Sequence, residues 1–414
     1  MSNSAFSLVD GGPLCRLIRR LGWVRPNGRC DYLRACLALM AVTWGPLFVL
    51  SLAERVVTGH VPSIDWGVHA RLLVTIPLLF MAEESLHWRS RRAIAVFLEE
   101  RWASDQADRV AKIIAFAEKL RDAVAPEVVL LGLALVGGQA VVWQAGGLRS
   151  FVSGLLLDPQ QVAPKYWYAV VSLPVFQFLL FRALWRWGIW AQLLWRLSRL
   201  PLRPIATHPD LAGGLGFLSL PTEGFAFIVA GLSATQAGVY ANQIIVENAA
   251  ITSFTPKVII FTLAAVVLGL GPLVVFSRRL VRCRIMGGLE YDGLATQYTR
   301  LFHARWIAGG QQSDLLGNQD IQSLADLESS CDVVRRMRPV PFAPTTAIVI
   351  AVAALSPMIP VALLRVPVAE LLKTVGSGGT RQGPLTMRGR SPHGLISRSP
   401  TLTNAPQGAH WKGP

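Results

Sequence analysis

Apolar residues in this chain gather into blocks of about 20, and the polar stretches between the blocks hold nearly all of the charge. A helix needs about 20 predominantly apolar residues to cross a hydrocarbon layer about 30 Å thick. The blocks match that length and predict seven spans, at 34–53, 68–86, 126–147, 166–187, 221–241, 257–277 and 342–364. The second contains Arg71, Glu83 and Glu84, and the fifth, FAFIVAGLSATQAGVYA, is small and polar along one side. Small residues at such spacing let helices approach closely in lipid. The expected fold is therefore all-α, a polytopic membrane bundle of about seven transmembrane helices.

Two connecting segments carry a helical period of their own. Within 88–125, Val110, Ile113, Ile114, Ala117 and Leu120 recur on one face, which predicts an amphipathic helix packed beneath the bundle or lying on the membrane. The segment 278–341 reads as two helices joined at Gly309 and Gly310. The expected organisation is a cytoplasmic N-terminal segment, 1–33, and a bundle, 34–373, whose structured cytoplasmic loops are 88–125 and 278–341. A basic tail, 374–414, follows; it is rich in Gly, Ser, Pro and Arg, has no acid, and is expected to be disordered.

Composition agrees with the blocks: 52% of the residues are hydrophobic and 16% charged, against about 25% charged in soluble domains. The net charge of +15 would suit phosphates, but the basic residues sit in loops that flank spans, where they set orientation and meet anionic headgroups. No nucleic-acid signature accompanies them, so the expected partner is the lipid bilayer, not nucleic acid. Segments 1–34, 87–125, 182–220 and 278–341 hold 28 Lys and Arg, against five on the other side of the spans. This asymmetry predicts a cytoplasmic N-terminus. Seven spans then place the C-terminus, whose last 50 residues hold seven more basic residues, on the opposite side. The first span is the expected targeting signal, since no compact apolar run ending in small residues precedes it. Cys15, Cys30, Cys36, Cys283 and Cys331 all fall on the cytoplasmic side of this topology and are expected to be free thiols.

The most distinctive polar string is HPDLAGGLGF, residues 208–217. Asp210 after a proline suits a turn or cap, and Gly213, Gly214 and Gly216 open backbone conformations closed to other residues. In a functional reading His208 and Asp210 bind a cation or move a proton, while the Gly-rich backbone offers N–H groups to an anion. Glu83, Glu84 and His87 form EESLH, and Glu84 with His87 has the Glu-x-x-His spacing of di-iron bundles, without the second copy such a centre needs. The plain alternative pairs these acids with Arg89, Arg91 or Arg92 at the cytoplasmic interface and lets Arg71 snorkel outward. His208, Asp210, Gly213, Gly214, Gly216, Glu223, Glu83, Glu84 and His87 together make a candidate cytoplasmic-rim site, with no catalytic role, metal or cofactor assigned. The run from Arg182 to Arg196 interleaves Trp and Arg and reads as an interfacial belt. Asp314, Asp320, Asp326, Glu328 and Asp332 read as a solvated helix offsetting Arg335, Arg336 and Arg338.

HPDLAGGLGFL, MAEE at the end of the second span and SDLLGNQDIQSLADL in the last loop resemble a family of uncharacterised bacterial multi-pass inner-membrane proteins, over about residues 30–373. The resemblance implies a bacterial inner-membrane location and a shared helical bundle, and carries no activity. Three functions remain: permeation or transport beside the polar fifth span, which is favoured, weakened by a scarcity of deeply buried charge; a membrane-embedded enzyme at the cytoplasmic face; and a scaffold or signalling subunit. A homo-oligomer and a cytoplasmic protein partner both stay open.

Overall fold

The computed structural model describes residues 7–9, 11–23, 31–58, 65–99, 106–144, 164–308 and 319–364. Every regular element among them is helical. In chain order these are α1 (Gly12–Arg20), α2 (Tyr32–Thr58), α3 (Trp66–Glu99), α4 (Ala107–Asp122), α5 (Val124–Gln144), α6 (Pro164–Leu197) and α7 (Thr222–Ile245). They continue with α8 (Thr255–Val274), α9 (Ser277–Phe302), α10 (Gln319–Arg336) and α11 (Pro344–Leu363). The tail 374–414, the Gly309–Gly310 joint and Asp314 lie outside the described residues.

Among the described residues six helices are long and apolar enough to cross a bilayer: α2, α3, α6, α7, α8 and α11. The predicted third span falls on α5, a helix of 21 residues whose described apolar part, Val124–Gly137, is shorter. Large apolar side chains face outward along these helices; Ile260 and Val267 on α8 are each 67% exposed. Such a surface in water would be an aggregation hazard, and in lipid it is the ordinary outer face of a bundle. This is a multi-pass membrane protein.

The predicted second and fourth spans are cores of longer helices, because α3 and α6 run on past the apolar layer and pack against each other, and α6 packs against α4. α4 buries Val110 and Ala117, with Ile113, Ile114 and Leu120 partly buried beside them, so the amphipathic period of 88–125 does pack on the bundle. Both long helices widen into a π-turn near the end at which they start, α3 at Ala70–Thr75 and α6 at Tyr168–Ser172.

α7 is the central helix and packs against α3 along most of its length. Gly224, Gly231 and Gly238 recur every seven residues and make this approach close. A Cβ on Gly238 would lie 2.5 Å from the Trp66 carbonyl oxygen and 2.8 Å from the Gly67 Cα, both backbone atoms. Gly238→Ala is therefore expected to destabilise the bundle by about 1–3 kcal/mol, read as a lower melting temperature in detergent. Three polar residues of α7 bind neighbouring helices. Ser233 donates to the Ala354 carbonyl at 2.5 Å, Thr75 donates to the Gly231 carbonyl at 2.7 Å and lies 2.9 Å from the Thr235 hydroxyl, and Asn242 donates to Asp65 at 2.8 Å.

The bundle has two distinct ends. At one, α3, α6 and α8 finish, α2, α5, α7 and α11 begin, and α4, α9 and α10 pack; the described basic residues of segments 1–34, 87–125, 182–220 and 278–341 gather here. At the other, Asp65 meets Asn242, Tyr240 stacks on Phe254 at 4.4 Å, and Val361 completes a small apolar cluster.

Candidate functional site

The cytoplasmic-rim residues divide into two places at the basic end. Asp210 sits in a tight turn where Leu211, Gly213 and Gly214 take φ of 55°, 63° and 84°. Its Oδ1 accepts from Ala212 N at 2.8 Å and Gly214 N at 2.9 Å, its Oδ2 accepts from Gly216 N at 2.9 Å, and His208 Nδ1 lies 2.9 Å from Oδ1. Burial alone would raise the Asp210 pKa; the Gly214, Ala212 and Gly216 N–H groups, with His208, hold it below the ordinary carboxylate range. Of the glycine N–H groups expected to face an anion, those of Gly214 and Gly216 are thus already taken by Asp210. Arg338 locks the turn to the segment after α10, donating its guanidinium to the Asp210 carbonyl at 2.5 Å and its backbone N–H to the Leu211 carbonyl at 2.7 Å.

Glu223 connects this turn to α3 through an ion pair with Arg89 at 2.6 Å. Both side chains are more than a third exposed or close to it, at 42% and 34%. Glu223→Gln is expected to change stability by less than about 1 kcal/mol in a chemical or thermal melt.

Glu83 and His87 point elsewhere, into the bundle. Glu83 pairs with Arg182 of α6, not with Arg89, Arg91 or Arg92 at the interface. Arg182 Nε also reaches Glu127 of α5 at 3.4 Å, and Arg186 Nη2 reaches the same Glu127 oxygen at 3.5 Å. All four groups are buried: Arg182 and Arg186 fully, Glu83 and Glu127 at 3% and 5% exposure. This corrects two expectations, the interfacial belt at Arg182 and Arg186 and the scarcity of deeply buried charge. The belt reading fails because α6 continues past both arginines to Leu197, so they face α3 and α5 and not the headgroups. Just past the end of α6, Arg199 lies over exposed Trp195, 4.2 Å from the ring centroid. Arg71 likewise does not snorkel; its guanidinium lies over the rings of Phe176 and Tyr168 of α6 at 5.4 and 5.8 Å.

Glu83 is 17 residues beyond Trp66, about 26 Å along the helix axis at 1.5 Å per residue. The cluster therefore lies toward the basic end of the bundle. The N-terminal segment closes it from that end. Arg186 donates to the Leu8 carbonyl at 2.9 Å and the Gly11 carbonyl at 3.4 Å, Arg121 donates to the Ser7 carbonyl at 2.6 Å, and the Ser7 hydroxyl lies 2.6 Å from His87 Nδ1. Gly12 N donates to Asp122 at 3.0 Å. Gly12 has φ +79°, and a Cβ there would meet Arg186 Nη2 at 2.6 Å and Glu127 Oε1 at 3.0 Å, so only glycine seats this turn against the charges. Glu84 is half-buried on the neighbouring face of α3.

Among the described residues no three His, Cys, Asp or Glu side chains converge in a metal-binding group. Cys36, Cys283 and Cys331 are free, as expected, whereas Cys15 is disulfide-bonded, which corrects the expectation of five free thiols. No protein-family model, curated protein or solved structure matches the chain.

Proposed function

We propose that this protein moves a proton or small ion across a membrane, with Glu83, Arg182, Glu127 and Arg186 as its charged station and residues Ser7, Leu8, Gly11 and Gly12 as the cover over its basic mouth. The carrying observation is the burial of two guanidinium groups against two carboxylates donated by three separate helices. Burying charge is expensive, and well-packed apolar residues often serve stability as well or better, so ionisable groups inside a membrane bundle point to function. The cluster is also incompletely satisfied: Glu83 Oε2, Arg182 Nη2 and Arg186 Nε are buried without a hydrogen-bond partner. Groups of that kind call for water or an ion. The close packing of the four side chains suits a small charged species over a bulky solute.

The positive-inside rule supports a cytoplasmic position for the basic end, and with it a cytoplasmic N-terminus. The resemblance to bacterial inner-membrane proteins supports that membrane as the setting.

The test is flux into proteoliposomes across a panel of protons and inorganic ions. Wild-type protein is expected to conduct or exchange at least one of them. The paired variant Glu83→Gln with Arg182→Met keeps the cluster electrically neutral and is expected to abolish that flux while eluting as a monodisperse species. Flux that persists in this folded double variant, or none in the wild type across the panel, overturns the proposal.

A further inference from the structure

A second polar feature at the basic end is separate from the buried cluster and does not depend on it. Between the extended segment after α6 and the first turns of α9 runs a groove of ≈ 880 Å³. Arg278, Arg279 and Arg282 line it from α9, and Pro204 and Ile205 line it from the facing segment. Cys283 Sγ lies 3.2 Å from the Pro204 carbonyl oxygen and Gly287 abuts Ala206, so the two walls are joined.

The three arginines have no hydrogen-bond or ion-pair partner among the described residues. The one acid in the lining, Glu290, is eight residues beyond Arg282, about 12 Å along the helix. The groove is thus a local excess of positive charge, with Arg279 half-buried and Arg278 and Arg282 exposed, whereas Arg89 and Arg121 are each paired with an acid. Burial pulls the Arg279 guanidinium below its ordinary pKa, the cost of holding a cation there without a counter-ion.

Depth decides the ligand. α8 ends at Val274, and Arg278 stands one turn beyond it, which for a helix that crosses a bilayer is headgroup depth. The groove walls are not wholly polar: Ile205 is 53% exposed and Met286 49%. A phosphate at the arginines with an apolar body alongside matches an anionic phospholipid better than a free ion.

We propose that the groove between residues 201–207 and the first turns of α9 binds the phosphodiester headgroup of an anionic phospholipid through Arg278, Arg279 and Arg282. The lipid would hold α9, and through it α10 and the Asp210 turn, against the membrane face.

The test uses the full chain purified in a neutral detergent and titrated with phosphatidylglycerol, phosphatidylcholine or inorganic phosphate, with binding read by native mass spectrometry. Phosphatidylglycerol is expected to bind about tenfold or more tightly than phosphatidylcholine. The triple variant R278Q/R279Q/R282Q is expected to lose that preference, and the single variant R282Q to lose part of it. The control R300Q/R335Q/R336Q removes equal charge from the same helix pair outside the groove, and should bind as wild type. Equal loss in groove and control variants, or no preference in the wild type, overturns the proposal. Displacement of phosphatidylglycerol by inorganic phosphate at comparable concentration overturns the lipid as ligand and assigns the groove to free phosphate. Should the triple variant fail to elute as a monodisperse protein, R282Q alone decides, since wild-type lipid preference in that variant also overturns the assignment.

Discussion

Glu83→Gln is expected to lower the stability of the bundle by about 3–5 kcal/mol, because it leaves the Arg182 guanidinium buried beside one distant carboxylate contact. With Glu83 neutralised, the cluster holds two guanidinium groups against Glu127 alone, an uncompensated positive charge inside the bundle. Arg182→Met makes the opposite imbalance and is expected to cost a similar amount. The double variant restores one carboxylate to one guanidinium and should be far less destabilised than the two single losses added together. Trp187 and Trp190 are buried on the same helix, so tryptophan fluorescence during thermal unfolding in detergent reports on this region directly. Losses that simply add would mean that Glu83 and Arg182 act independently, as solvated groups at an interface do.

The second large effect is expected at the Asp210 turn. Asp210→Ala removes the acceptor for three backbone N–H groups, of which those of Ala212 and Gly214 belong to buried residues. An unsatisfied buried donor costs about 1–3 kcal/mol, so a loss of about 3 kcal/mol or more is expected. The positive φ angles at Leu211, Gly213 and Gly214 lose their restraint at the same time. The carboxyl is held below its ordinary pKa in the folded chain. Its stabilisation is therefore complete above the unfolded-state value and is lost as pH falls through the depressed native value. Wild-type protein should weaken on acidification into that range by more than Asp210→Ala does. A parallel acid response of the two proteins would show that the turn does not depend on this carboxylate.

The spans were legible because apolar blocks of bilayer length have no soluble explanation, and the turn chemistry of HPDLAGGLGF was legible because Asp and Gly carry their own backbone preferences. The ion-paired core was not. Arg182 and Arg186 stand among Trp185, Trp187 and Trp190 near the predicted end of an apolar block, which is how a headgroup belt looks in one dimension. Which side of the helix meets α3 and α5 decides the matter, and that is tertiary information. A weak signal was present: the two arginines are four residues apart on one face, and Glu127 stands at the start of another apolar block, where a carboxylate is costly unless paired. The fifth predicted span shows the reverse case. Its Ser233, Thr235 and Asn242 suggested a wet path, yet each bonds a neighbouring helix, because small polar residues in lipid serve close packing as readily as hydration.

The placement of Arg182 carries both the stability and the transport arguments, and a cryo-electron microscopy map of the full chain in a lipid nanodisc tests it most directly. The account predicts side-chain density for Arg182 running to Glu83 and Glu127 inside the bundle, with the Leu8 and Gly11 carbonyls on Arg186. Density for Arg182 and Arg186 directed outward among the lipid headgroups would contradict it.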